Sequence, residues 1–149
     1  MSSYKKIVVG TDGSDTSLLA IDRASALASQ TGAQLLIVTA YQPTDGNEAQ
    51  VVGDILKREA YLVVGSAPAE SMLREAASRA RSGGAARVDT LAVQGLPAEV
   101  LNRAVADIGA DLLVVGNVGL NTLAGRLLGS VPQQVARRAG VDVLIAHTT

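Results

Sequence analysis

Four short stretches of the chain are continuously apolar: KIVVG ending at Gly10, QLLIVTA ending at Ala40, DLLVVG ending at Gly116 and DVLIAH ending at His147. A strand with one face in water alternates apolar and polar residues. Runs without alternation belong to strands covered on both faces, as in a parallel sheet held between helix layers. A fifth stretch, RVDTLAVQG from Arg87 to Gly95, alternates more and is the weaker strand. Helical patterns lie between these runs. Ser14 to Gln30 carries Leu18, Ile21, Ala24, Leu27 and Ala28 at helical spacing, and Gly32 can close it. Pro68 to Arg81 carries Met72, Leu73, Ala76, Ala77 and Ala80, with Gly83 and Gly84 beyond its end. Pro97 to Ile108 carries Val100, Leu101, Ala104, Val105 and Ile108 inward, with Gly109 as its stop. In both, proline sits early, where its missing N–H costs nothing. A last helix starts at Ser130, which stands at capping-box spacing from Gln133, and ends at Gly140. Strands alternating with helices predict an α/β fold with a doubly wound, five-stranded parallel sheet and helices on both faces.

The 149 residues suit a single domain over 1–149, with Tyr41 to Ala67 as a long irregular or partly helical insertion. Without cysteine there is no disulfide framework, thiolate nucleophile or thiolate metal site. Thirteen basic residues against fourteen acidic give a net charge of −1, which argues against nucleic acid as a partner. No apolar run approaches the roughly 20 residues that cross a bilayer, and the N-terminus lacks the pattern of a signal peptide. A cytoplasmic protein with no membrane partner is expected. Three tyrosines are the only aromatic residues, so a flat ring would rest between aliphatic side chains.

Ligands of open parallel sheets bind beyond the carboxyl ends of the strands, where the strand order reverses. Two strand ends carry unusual residues. One is GTDGSD, with Gly10, Thr11 and Asp12. Asp12 can accept hydrogen bonds from ribose hydroxyls or hold magnesium; the plainer reading is a turn residue in a DG pair. The other is VVGNVGLNTLAGRLLGSV, with Gly116, Gly119, Gly129, Ser130 and Val131. A helix start offers free backbone N–H groups and partial positive charge, and glycine removes the Cβ that would block an approaching phosphate oxygen. The plainer reading is a loop ahead of a capped helix. No GK[ST] of a phosphate-binding P-loop and no dinucleotide GxGxxG occurs. The one histidine, His147, has no nucleophile placed beside it, and a structural or surface role is expected.

Together the two strand ends resemble the universal stress proteins, a family with a Rossmann-like fold. Its motif is Gly, two residues, Gly, nine residues, then Gly and Ser or Thr, and Gly116, Gly119, Gly129 and Ser130 match it without a shift. VVGTDGS, from Val8 to Ser14, resembles the family's first strand and loop. The resemblance implies strand order 3-2-1-4-5 and an adenine nucleotide as ligand, cyclic AMP or ATP, with magnesium possible alongside ATP and no cofactor required. Asp12 would face the ribose, and Val38, Thr39 and Ala40 would border the adenine. Gly116, Gly119, Gly129, Ser130 and the Val131 amide would hold the phosphates. Many relatives carry a basic residue between the first two glycines, where this chain has Asn117 and Val118. That departure favours cyclic AMP, whose single negative charge needs fewer donors, although Arg126 inside the spacer can supply charge; the alternative is a solvated loop residue.

The expected role is a sensor, reservoir or regulator in the stress response. The alternatives are a weak magnesium-dependent ATPase and a structural dimer with a vestigial pocket. No general base, carboxylate pair or catalytic lysine marks an efficient enzyme, and no catalytic residue is assigned. A homodimer through the last strand, Val141 to His147, is expected: no helix follows that strand in the sequence, and an edge strand leaves unpaired N–H and C=O groups for a second copy.

Overall fold

The computed structural model describes residues 3–42, 66–116 and 139–147. Strand β1 (Lys6–Gly10) is followed by helix α1 (Asp15–Thr31) and strand β2 (Gln34–Tyr41). Helix α2 (Ser66–Ser82) precedes strand β3 (Arg87–Gln94), and helix α3 (Pro97–Ile108) precedes strand β4 (Leu112–Gly116). Strand β5 (Asp142–Ala146) is the last described element and stops one residue short of His147. The helix expected from Ser130 to Gly140 lies mostly outside the described residues, as does nearly all of the expected insertion from Tyr41 to Ala67. No described helix is long and apolar enough to cross a membrane.

The five strands form one sheet in the order β3-β2-β1-β4-β5, and all four neighbouring pairs are parallel. Its two faces support two separate clusters. Ile7, Val9, Leu35, Ile37, Leu112 and Val114 pack under the small inner residues of α1 and α2, among them Ala20, Ala24, Ala76 and Ala80. Val8, Leu36, Val38, Leu113 and Val115 pack under Val100, Leu101, Ala104 and Val105 of α3. Adjacent residues of β1, β2 and β4 therefore enter opposite cores, which is why their sequences do not alternate. Edge strand β3 is mostly exposed, with only Val88, Ala92 and Val93 half-buried, and its burial does not follow the alternation expected of it.

Local chemistry sets the helix ends. Ser14 takes an extended backbone and its Oγ accepts the Ser17 N–H at 3.1 Å, the geometry of an N-cap. Gly32 closes α1 in the left-handed region at φ 74°, donating its N–H to the Ala28 carbonyl at 2.9 Å. Helix α3 opens with Pro97 after Leu96 and has no side-chain cap; Gly109 closes it.

Candidate functional site

The site is built on the turn after β1. Thr11 is almost wholly buried and fixed through four hydrogen bonds. Its N–H donates to the Val38 carbonyl at 3.0 Å, and its own carbonyl accepts the Thr39 hydroxyl at 2.7 Å. Its Oγ1 accepts the Gly13 N–H at 3.1 Å and pairs with the Ser17 hydroxyl at 2.8 Å. Asp12 then bends the chain: Oδ1 accepts the Ser14 N–H at 2.9 Å while Gly13 takes φ 84°, a conformation that disfavours other residues. The same turn delivers Ser14 as the cap of α1, so one loop both starts a helix and aims a carboxylate.

The second oxygen of Asp12, Oδ2, is buried and has no hydrogen-bond partner among the described residues. Burial pushes the carboxyl above the usual carboxylate range; the hydroxyls of Ser14 and Ser17 and nearby backbone N–H groups pull only partly the other way. A buried acceptor left unpaired costs about 1–3 kcal/mol, and more if charged. Such a group is a demand for a donor.

The sheet order brings the second strand end to the same rim. Strands β1 and β4 are neighbours, with Ile7 opposite Leu112 and Val9 opposite Val114. Continued upward, that register sets Thr11 level with Gly116. Gly116 is buried at the end of β4 and opposite Ala146. Gly10, Thr11, Asp12, Val38, Thr39, Ala40 and Gly116 therefore share the carboxyl end of the sheet, at its switch point. Asn117, Val118, Gly119, Arg126, Gly129, Ser130 and Val131 lie outside the described residues.

The structure gives several of these residues local work. Val38 is fully buried in the α3-side cluster, and its carbonyl is engaged by Thr11. The Thr39 hydroxyl is spent on the Thr11 carbonyl. Ala40, half-buried, keeps a side chain at the rim. At Gly10 an added Cβ would stand 2.9 Å from both Leu101 methyls, so this glycine admits α3 close against β1. Ser17 was not foreseen as part of the site. Its signal is a hydroxyl on the largely apolar buried face of α1, one turn past the cap. Asn102 of α3 is the other residue with a buried unpaired side-chain oxygen among the described residues. It borders a cavity of about 380 Å³ together with Val93, Gly95, Leu96 and Glu99. Val93 is opposite Ala40, so the cavity neighbours the strand ends, yet Gly10, Asp12 and Gly116 do not line it. Among the described residues no group of three acidic or histidine side chains is placed to hold a metal ion.

Comparison with known proteins agrees with this fold. The universal stress protein family model matches residues 3–147. Universal stress protein Rv1636 of Mycobacterium tuberculosis (strain H37Rv) is 52% identical over 149 residues, covering 100% of both chains. A universal stress protein crystallised in complex with cAMP superposes with a TM-score of 0.76 at 46% identity, covering 99% of this chain and 100% of its own. UspA from Lactobacillus plantarum shares the fold at a TM-score of 0.77 and 22% identity, over 99% of this chain and 100% of its own. The chain belongs to the universal stress protein family.

Proposed function

We propose that this protein binds an adenine nucleotide, cyclic AMP or ATP, at the carboxyl ends of β1 and β4, and acts as a sensor, reservoir or regulator in the stress response. The observation that carries the reading is the Asp12 carboxylate, with one oxygen fixing the turn and the other buried and unpaired. A ribose hydroxyl donating to Oδ2 would relieve that cost. The similar protein that holds cAMP gives the reading its ligand class. Ala40 would border the base at the rim, with Val38 and Thr39 shaping the strand end beneath it. Gly116, Gly119, Gly129, Ser130 and the Val131 amide would meet the phosphate. Asn117 and Val118 stand where a basic residue would serve a triphosphate, which leaves Arg126 as the positive charge within the motif. If magnesium accompanies ATP, the phosphates and water would hold most of it, with Asp12 as a protein carboxylate within reach. The same reading puts the protein in the cytoplasm, where adenine nucleotides are made and spent. It also makes the protein a homodimer paired through β5, whose outer edge no described strand covers.

Titration calorimetry with ATP, ADP, AMP and cyclic AMP, each with and without magnesium, tests the proposal. Cyclic AMP should bind at least as tightly as ATP. Loss of one charge-assisted hydrogen bond weakens ATP about tenfold or more. ATP binding tenfold tighter than cyclic AMP in both metal conditions would reverse that preference. No binding of any of the four would end the nucleotide reading, and steady release of phosphate from ATP would favour the weak ATPase instead.

A further inference from the structure

A second recess lies at the opposite end of the sheet from Asp12. Helix α1 packs on β1 and β4 but only grazes β5, so among the described residues nothing fully covers the sheet face under its flank, and Leu144 is half-buried. The recess there has a volume of about 420 Å³. Leu112 and Leu144 make its floor, and Leu27 is its apolar wall. Arg23 and Gln30, both exposed, stand on its rim, and Tyr4 closes one end. The volume falls within the few hundred to about 1,000 Å³ of small-molecule sites, and an apolar lining with few polar groups is their usual composition.

The charges around it are unequally occupied. Asp22 is turned to Arg79, with both of its oxygens bonded at 2.7 Å. Asp142 accepts the Tyr4 hydroxyl at 2.8 Å. Arg23 makes no hydrogen bond or ion pair among the described residues, so its guanidinium keeps a full set of donors. Arg23 and Gln30 are seven residues apart on α1, about 10 Å along the groove at 1.5 Å per residue. An anionic group would be drawn to Arg23 and kept from the Tyr4 end by the Asp142 carboxylate. We infer that this groove binds a small amphiphilic carboxylate, its chain lying on Leu27, Leu112 and Leu144 and its carboxylate paired with Arg23. A guanidinium presents paired N–H groups that match a carboxylate edge to edge.

Methyl NMR of the full chain with octanoate as probe tests this. The Leu27, Leu112 and Leu144 methyls should shift saturably. Octanol should bind more weakly, octylamine more weakly still, and butyrate too weakly to saturate. Arg23→Gln should reduce octanoate affinity about tenfold. Ala26→Trp, a substitution at an exposed rim position, should plug the groove and abolish the shifts. Unchanged affinity in either variant overturns the inference, and so does equal binding of octylamine. If those methyls move with protein concentration alone and octanoate does not compete, the face is an interface between copies and the inference fails.

Discussion

At Asp12 the stability of the ligand-free fold and the proposed binding of a nucleotide pull in opposite directions. Its folded carboxyl is raised by burial, so the folded state holds a proton more readily than the unfolded chain. Such a group contributes stability below the ordinary carboxylate pKa, and that contribution is lost as pH rises through the folded value. Asp12→Asn keeps the Oδ1 acceptor for Ser14 and removes the buried charge. In the ligand-free protein it should therefore raise the melting temperature at pH 7, with the gain closing as pH falls below the carboxylate range. The same variant should weaken the nucleotide, since the unpaired Oδ2 is gone. Thermal scans at several pH values, paired with calorimetry, check both; a loss of stability at pH 7 would mean that Oδ2 is not a burden. Gly119→Glu would place a carboxylate where phosphate is proposed to sit, and should abolish nucleotide binding in a protein that remains folded by circular dichroism. A folded variant binding as tightly as the parent would show that Gly119 is not at the phosphate.

The elements owe their boundaries to a few contacts of known size. Ser14→Ala removes the cap of α1 and should cost about 1 kcal/mol in urea unfolding. Glycines 13 and 32 both lie in the left-handed region, but their surroundings differ. A Cβ at Gly32 meets nothing within 4 Å, whereas one at Gly13 would collide with the Met72 sulfur. Gly32→Ala should cost the conformational penalty of about 1–2 kcal/mol. Gly13→Ala should cost more, and Met72→Ala in the same chain should return part of the excess. A double-mutant cycle by denaturant titration measures that coupling. Equal effects of the two glycine substitutions would show that Met72 simply moves aside.

At the scale of the whole molecule, β5 is an edge strand with Ile145 about 45% exposed. Light scattering at micromolar concentration should give a dimer, and Ile145→Lys should shift it toward monomer; a clean monomer from the unaltered chain would end the β5 pairing. The strands themselves were legible without coordinates, because burial on both faces forces unbroken Val, Leu and Ile runs in β1, β2 and β4. The three described helices were legible from their spacing and, for α1 and α3, from the Ser14, Gly32 and Gly109 ends. The glycine motif and its family resemblance also stood in the sequence alone, through spacing that needs no packing to be seen. Other features depended on which atoms meet across the fold. Gly10 faces Leu101, 91 positions away, and no local pattern announces that approach. Thr11 and Ser17 share a buried hydrogen bond because the turn returns α1 over β1. Asp12 has one satisfied oxygen and one stranded oxygen, a difference set by solvent exclusion from several elements at once. Local propensity and hydrophobic period are written residue by residue in the chain. Burial, unpaired polar atoms and the groove beside β5 arise only when distant segments exclude water together.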